Sequence, residues 1–168
     1  VSMYSVLANT SHHIDFYVME NDINPETKQK MRESLKEFDN FTLNFIRVNE
    51  MCLEGAPNLL WYTKCAYFRY LIPELCPHVN KAVYLDVDII LKSDIEELFS
   101  MDLDGFSLGA AAGERSYLDQ FEWQRKHLES IGVSKTHNYF NSGVLLIDLE
   151  LWRDLGMTDT LIKTTQKL

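Results

Sequence analysis

Lys81-Ala82-Val83-Tyr84-Leu85-Asp86-Val87-Asp88 is the stretch on which the reading of this chain turns. Ala82-Val83-Tyr84-Leu85 is short, apolar and rich in residues that suit a buried strand. Two carboxylates follow, one residue apart. Side chains two apart on a strand point to the same face, so Asp86 and Asp88 are expected to emerge together while Val87 turns the other way. Like charges held so close repel, and burial raises the penalty. A divalent cation removes that penalty, and oxygen-only ligands favour a hard ion such as Mn²⁺ or Mg²⁺. A strand that simply ends in solvated acids before a turn is the other reading of the same residues.

Strands and helices alternate on both sides of this run. Residues 1–9 read as the end of a helix. Residues 14–19 and 41–48 read as strands around an amphipathic helix over 25–38, which Asn24 caps and Pro25 starts, with Met31, Leu35 and Phe38 on one face. A helix over 57–72 should stop near Pro73. Strand character runs through 81–91, and Ser93-Asp94-Ile95-Glu96 then looks like a capping box opening a short helix. Residues 106–112 read as a strand and 117–131 as a helix. Residues 139–148 read as a strand with a polar interruption near its start, followed by a last helix. This order predicts an α/β sandwich on a mainly parallel, mixed sheet. Ligands of such sheets gather at the carboxyl ends of the strands.

Composition narrows the function. The chain has 168 residues, 46% of them hydrophobic, which suits one domain with a real core. A formal net charge of −9, with no basic stripe interleaved with aromatics, argues against nucleic-acid binding. No apolar run approaches the ~18–20 residues of a membrane-spanning helix, and no charged segment leads into an apolar leader-like one. The three cysteines, Cys52, Cys65 and Cys76, lack metal-ligand spacing. They read as free thiols in a reducing compartment, each a small buried hydrophobe. Phosphate-loop, dinucleotide-fold and nucleophile-elbow motifs are missing.

Two further groups carry chemistry. Arg69, in Tyr67-Phe68-Arg69-Tyr70-Leu71, offers a guanidinium for a phosphate or an aspartate, or else snorkels to the surface. Tyr67 and Tyr70 read as core residues with a polar tip. Asn141-Ser142-Gly143 interrupts an apolar strand: Asn141 can donate to and accept from sugar hydroxyls, and Gly143 invites a close approach. A β-bulge explains the same three residues equally well. Glu114 and Asp148 lie near strand ends, where a sugar contact or plain solvation fits.

Together these motifs resemble family 8 of the retaining glycosyltransferases, which includes lipooligosaccharide galactosyltransferases and glycogenin. The resemblance rests on Tyr67 to Pro73, on Lys81 to Asp88, on Asp94-Ile95-Glu96-Glu97-Leu98, and on Tyr139 to Asp148 with Trp152. It implies the nucleotide-diphospho-sugar transferase type of α/β/α sandwich. It also implies transfer of a hexose from UDP-glucose or UDP-galactose to a glycan or lipopolysaccharide-type acceptor, with retention at the anomeric carbon. Asp86 and Asp88 then correspond to the metal-binding pair holding Mn²⁺ (or Mg²⁺) against the diphosphate, with Val87 between them at the donor. Arg69 corresponds to a donor-contacting basic position. Asp86 and Asn141 lie on the donor-sugar side, and Asn141-Ser142 touch the sugar; alanine is commoner at the position of Ser142.

Three family features find no counterpart between Val1 and Leu168: the opening strand that holds the uracil, the Asp-Gln-Asp-type segment beside the reacting carbon, and the His-x-x-Gly-x-x-Lys-Pro-Trp stretch with the third metal ligand. The expectation is therefore one glycosyltransferase domain over 1–168, incomplete at both ends. The intact protein is expected in the cytoplasm of a bacterium, at the inner face of the membrane where lipid-linked acceptors lie. Two rival readings accompany it. One is a non-catalytic sugar-nucleotide-binding segment. The other is a haloacid dehalogenase-type phosphohydrolase with Asp86 as nucleophile and Asp88 as acid/base, a class that wants Thr or Val where Ile90 stands.

Overall fold

The structure is a computed structural model that describes residues 1–55, 64–113, 122, 126, 129–130, 132 and 140–166. The chain starts with helix α1 (Ser2–Leu7) and strand β1 (Ile14–Glu20). Helix α2 (Pro25–Glu33) follows, with Asn24 as its N-cap accepting from the Thr27 amide at 2.8 Å and Pro25 in the first turn, where its missing N–H costs nothing. The helix is shorter than its periodicity predicted. From Ser34 the chain tightens into turns, with Leu35 N bonded to Arg32 O at 3.1 Å and Phe38 N to Leu35 O at 3.0 Å. Leu35 is still buried, and Phe38 meets Tyr4 edge-on at 5.1 Å, so turns rather than helix complete the apolar spacing.

Strand β2 (Phe41–Arg47) pairs in parallel with β1, in register from Ile14↔Phe41 to Glu20↔Arg47. A 3-10 helix over Lys64–Leu71 runs into the short helix α3 (Ile72–Leu75). Pro73 therefore does not end a helix as expected. It sits in the first turn of α3, where proline is tolerated, and separates two helical pieces. Strand β3 (Lys81–Leu85), helix α4 (Ile95–Phe99), strand β4 (Leu108–Ala112), strand β5 (Phe140–Asp148), helix α5 (Leu149–Asp154) and helix α6 (Met157–Thr165) complete the described elements. The cap of α4 is Asp94, which accepts from the Glu96 amide at 3.0 Å, rather than Ser93. The expected helix over 117–131 falls largely outside the described residues.

The α/β class and the mixed sheet character hold. Of the three ladders among the described residues, β1·β2 is parallel, while β5 lies antiparallel between β3 and β4. Among the described residues parallel pairing is thus confined to β1·β2, where α2 supplies the crossover a parallel pair requires. Two apolar clusters fix the layers. Val48, Leu53, Tyr67, Phe68 and Leu71 form one; Ile72, Leu145, Ile147, Leu149 and Trp152 form the other, and Met19 packs against both. Ile147 and Leu149 are 1% and 0% exposed, and such burial stabilises by roughly 1.5–3 kcal/mol per side chain. Tyr84 packs on the second cluster, which ties the end of β3 to the core. No helix among the described residues is long and apolar enough to cross a membrane.

Candidate active site

The site forms where β3 leaves its ladder with β5. Regular pairing ends at Leu85↔Val144, and one more bond, from the Asp86 amide to Gly143 O at 2.8 Å, carries the chain a residue further. A turn closes behind it, with Ile89 N bonded to Asp86 O at 3.3 Å. Val87, 89% exposed, and Asp88, also exposed, lie in that turn. Strand geometry therefore does not align the two aspartates as expected; a turn follows Asp86 and carries Asp88 to the surface.

Asp86 is held firmly on one side. Its Oδ1 accepts from the Tyr84 hydroxyl at 2.6 Å and from Arg69 Nη2 at 3.4 Å. Arg69 does not snorkel: its side chain is 13% exposed, and it also donates from Nε to Ala66 O at 2.8 Å and from Nη1 to Ser142 O at 2.5 Å. Its guanidinium lies 4.5 Å from the Tyr84 ring centroid, a cation–π distance. Burial pushes the Tyr84 hydroxyl well above the usual tyrosine range; its bond to Asp86 and the negative charges of Asp86 and Asp88 push the same way, against Arg69. Both aspartates thus bear electrostatically on one phenol, which stays protonated and able to donate.

The other carboxylate oxygen faces β5. A Cβ at Gly143 would stand 2.9 Å from Asp86 Oδ2 and 3.1 Å from Asn141 Oδ1. Gly143 was expected to admit a close approach, and what approaches is this carboxylate. The bulge is present too. Ala110 pairs with Leu145 and Ala112 with Phe140, so Ala111 alone stands opposite residues 141–144. On the β3 side the register is unbroken from Lys81↔Asp148 to Leu85↔Val144 and stops where the bulge begins. The bulge exposes Asn141 and Ser142 beside Asp86. Asn141 Oδ1 accepts from the Gly143 amide at 2.8 Å, which leaves its amide nitrogen without a partner among the described residues.

The site thus brings together Arg69, Asp86, Asn141, Ser142 and Gly143, with Val87 and Asp88 on the adjoining turn. Ser142 contributes its carbonyl, and its hydroxyl makes no hydrogen bond among the described residues. Tyr84 escaped the sequence reading, although the two-residue spacing that puts strand side chains on one face joins Tyr84 to Asp86. Asp148 stands at the far end of β5 from Asn141 and caps α5, accepting from Leu151 N at 2.9 Å. Glu114 lies outside the described residues. Tyr67 is buried and Tyr70 partly so, as expected. Cys76 is buried and its thiol is pushed up by burial, whereas Cys65 is exposed, against expectation.

Among the described residues no three His, Cys, Asp or Glu side chains gather around one point. Two carboxylates still fit a hard cation of the Mg²⁺ or Mn²⁺ kind, which commonly takes one or two protein carboxylates and completes its shell with water and substrate phosphate. Asp86 Oδ2, bonded to nothing among the described residues, and exposed Asp88 are the oxygens available for it.

The α/β fold thus presents two aspartates, a largely buried arginine and a bulged Asn-Ser-Gly segment at one strand end, in line with the glycosyltransferase resemblance. The sequence model of Glycosyl transferase family 8 matches residues 1–168, and the chain belongs to that family. It is 28% identical over 162 residues to general stress protein A of Bacillus subtilis, covering 94% of this chain and 54% of that protein. It is 27% identical over 161 residues to the lipopolysaccharide 1,2-glucosyltransferase of Escherichia coli, covering 95% of this chain and 46% of that enzyme. Its structure superposes on galactosyltransferase LgtC, solved with donor and acceptor sugar analogues, with a TM-score of 0.79 and 26% identity, over 99% of this chain and 59% of that one. The chain therefore spans about half the length of the curated relatives it matches. The family match removes the phosphohydrolase reading.

Proposed function

We propose that the protein is a retaining glycosyltransferase that moves a hexose, glucose or galactose, from UDP to a glycan or lipopolysaccharide-type acceptor, using Mn²⁺ (or Mg²⁺) at Asp86 and Asp88. Residues 1–168 act as part of one glycosyltransferase domain. The observation that carries this reading is the Asp86 carboxylate, pinned at Oδ1 by Tyr84 and Arg69 while Oδ2 remains available beside exposed Asp88. Two acids alone would repel a diphosphate. When bound, the divalent cation supplies the positive charge that neutralises the UDP leaving group as a Lewis acid.

The protein's own residues do the rest. Arg69 fixes Asp86 and the Ser142 carbonyl in one grip, so the turn and the bulge keep their spacing. Asn141 offers the donor sugar's hydroxyls its amide nitrogen, which has no partner among the described residues, and its oxygen, spent on Gly143, keeps the side chain in one rotamer. The transfer breaks the bond between the anomeric carbon and the diphosphate oxygen and forms one to the acceptor oxygen, whose proton passes to the departing diphosphate or to solvent. The free thiols of Cys65 and Cys76 are in keeping with a reducing, cytoplasmic location, where a glycan acceptor, or a lipid-linked one at the inner membrane face, would be met.

The test is UDP release by the full chain from UDP-glucose and UDP-galactose with Mn²⁺. One donor should be turned over, and EDTA or Asp88→Asn should abolish the signal. A folded protein that releases UDP from neither donor, with or without a lipid-linked acceptor, would sink the proposal.

A further inference from the structure

We propose that Tyr84 is a positioning residue: its hydroxyl sets the rotation of the Asp86 carboxylate so that Oδ2 is presented to the divalent cation. The inference rests on the metal-dependent reading above. The Tyr84 ring is itself immobile. It sits on β3 with its backbone paired to Leu145, packs on the core cluster of Ile72, Leu145, Ile147, Leu149 and Trp152, and is covered by the Arg69 guanidinium at 4.5 Å. The backbone of Asp86 is fixed as well, through its amide on Gly143 O. What remains free is the carboxylate's rotation, and the Tyr84 hydroxyl meets Oδ1 at 2.6 Å, the short distance of a bond to a charged acceptor.

Packing does not require that hydroxyl. A phenylalanine would fill the same space and offer Arg69 the same ring face, with no polar atom to satisfy. Nor does Arg69 replace it. Its single 3.4 Å contact to Oδ1 is long, and an Asp86 released by Tyr84 would turn to close on Nη2, since Nε and Nη1 are already held by Ala66 O and Ser142 O. Oδ2 would then be withdrawn from the position it occupies beside Gly143, where the missing Cβ makes room for it. Tyr84, Arg69 and Gly143 thus divide the work: one orients Oδ1, one holds the charge, and one leaves space for Oδ2.

The experiment is Mn²⁺ binding by the full chain, without donor, followed by loss of the free-ion paramagnetic resonance signal. Tyr84→Phe should bind Mn²⁺ ~10–100-fold more weakly, as loss of a partner behind a metal ligand does. Its melting midpoint should move by no more than about 4 °C. p-Aminophenylalanine at position 84 restores a donor at the same place and should restore affinity, which a purely structural role would not predict. Unchanged affinity in Tyr84→Phe overturns the proposal. So does a loss that the amino analogue fails to repair, or a Phe variant that cannot fold. Failure of the underlying reading has a different signature: the parent protein itself takes up no Mn²⁺, or Asp88→Asn takes it up equally well.

Discussion

Gly143 offers a severe test of the site because a single methyl group there would strike the carboxylate on which the chemistry depends. In Gly143→Ala the new Cβ would lie 2.9 Å from Asp86 Oδ2 and 3.1 Å from Asn141 Oδ1. Reaching the 3.4 Å of an ordinary contact requires Oδ2 to retreat by about 0.5 Å. The carboxylate cannot retreat freely, since Oδ1 already sits 2.6 Å from the Tyr84 hydroxyl and 3.4 Å from Arg69. Weakening one hydrogen bond to a charged group costs about 1.5–3 kcal/mol, reduced here because Asp86 is 37% exposed. Alanine returns about 0.4–1 kcal/mol through the unfolded chain, since Gly143 is not among the positive-φ glycines. A net loss of about 1 kcal/mol follows, or a melting midpoint roughly 2–4 °C lower. Binding of UDP with Mn²⁺ should weaken far more, ~10–100-fold. Gly109→Ala is the control: its Cβ would also stand 2.9 Å from a neighbour, but that neighbour is the flexible Leu103 Cδ2 rather than a carboxylate of the site. Calorimetric binding and thermal melts on both variants decide the matter. Wild-type affinity in Gly143→Ala would refute the claim that Asp86 is held against Gly143.

Three other expectations can be checked alongside. Ser142→Ala should leave stability within about 0.5 kcal/mol and UDP affinity unchanged in titration, because Arg69 bonds the Ser142 carbonyl rather than its side chain. Asp148→Ala removes the cap of α5 and should lower stability in urea melts by about 1 kcal/mol without touching binding of UDP-glucose or UDP-galactose, whereas a sugar-contacting Asp148 would weaken it. Acid should destabilise the protein in a defined window. Glu20 is held below the usual carboxylate range by its bond from Lys28 and then by the Ile23 amide, and Asp94 by the Glu96 amide and then Thr10. Depressed folded values mean that their stabilisation is complete above the unfolded values of about 4.3 and 3.9 and is lost as pH falls below them. Urea midpoints followed from pH 7 downward should decline there, and Glu20→Gln should flatten the decline.

Local signals in the sequence were strong where one physical cause acted alone. Asn24 and Pro25 start α2 because capping and a fixed proline φ suffice for a helix N-terminus, and β1, β2 and β5 follow their apolar β-branched runs. Boundaries slipped where tertiary packing took over. Leu35 and Phe38 keep helical spacing yet lie on turns, because burial of Leu35 and the Tyr4–Phe38 contact are satisfied without helix. Pro73 marked a boundary but opens a helix. At the site, the residue types of Asp86, Asp88, Arg69 and Asn141 were legible, since charge and amides inside apolar runs stand out. The hold of Tyr84 on Asp86 was legible in principle, through the two-residue strand spacing, but the turn after Leu85 and the use of the Ser142 carbonyl were not. Both of these depend on β5 lying beside β3, a contact between residues nearly sixty apart in sequence that no local pattern specifies.

The most direct test of the account is calorimetric titration of UDP into the full chain with Mn²⁺, repeated with EDTA and with Asp88→Asn. The account predicts binding in the presence of Mn²⁺ that disappears on chelation and in the variant, which would put the diphosphate at Asp86 and Asp88. A folded protein that binds no UDP with Mn²⁺ present, or an Asp88→Asn variant that binds as the parent does, would contradict it.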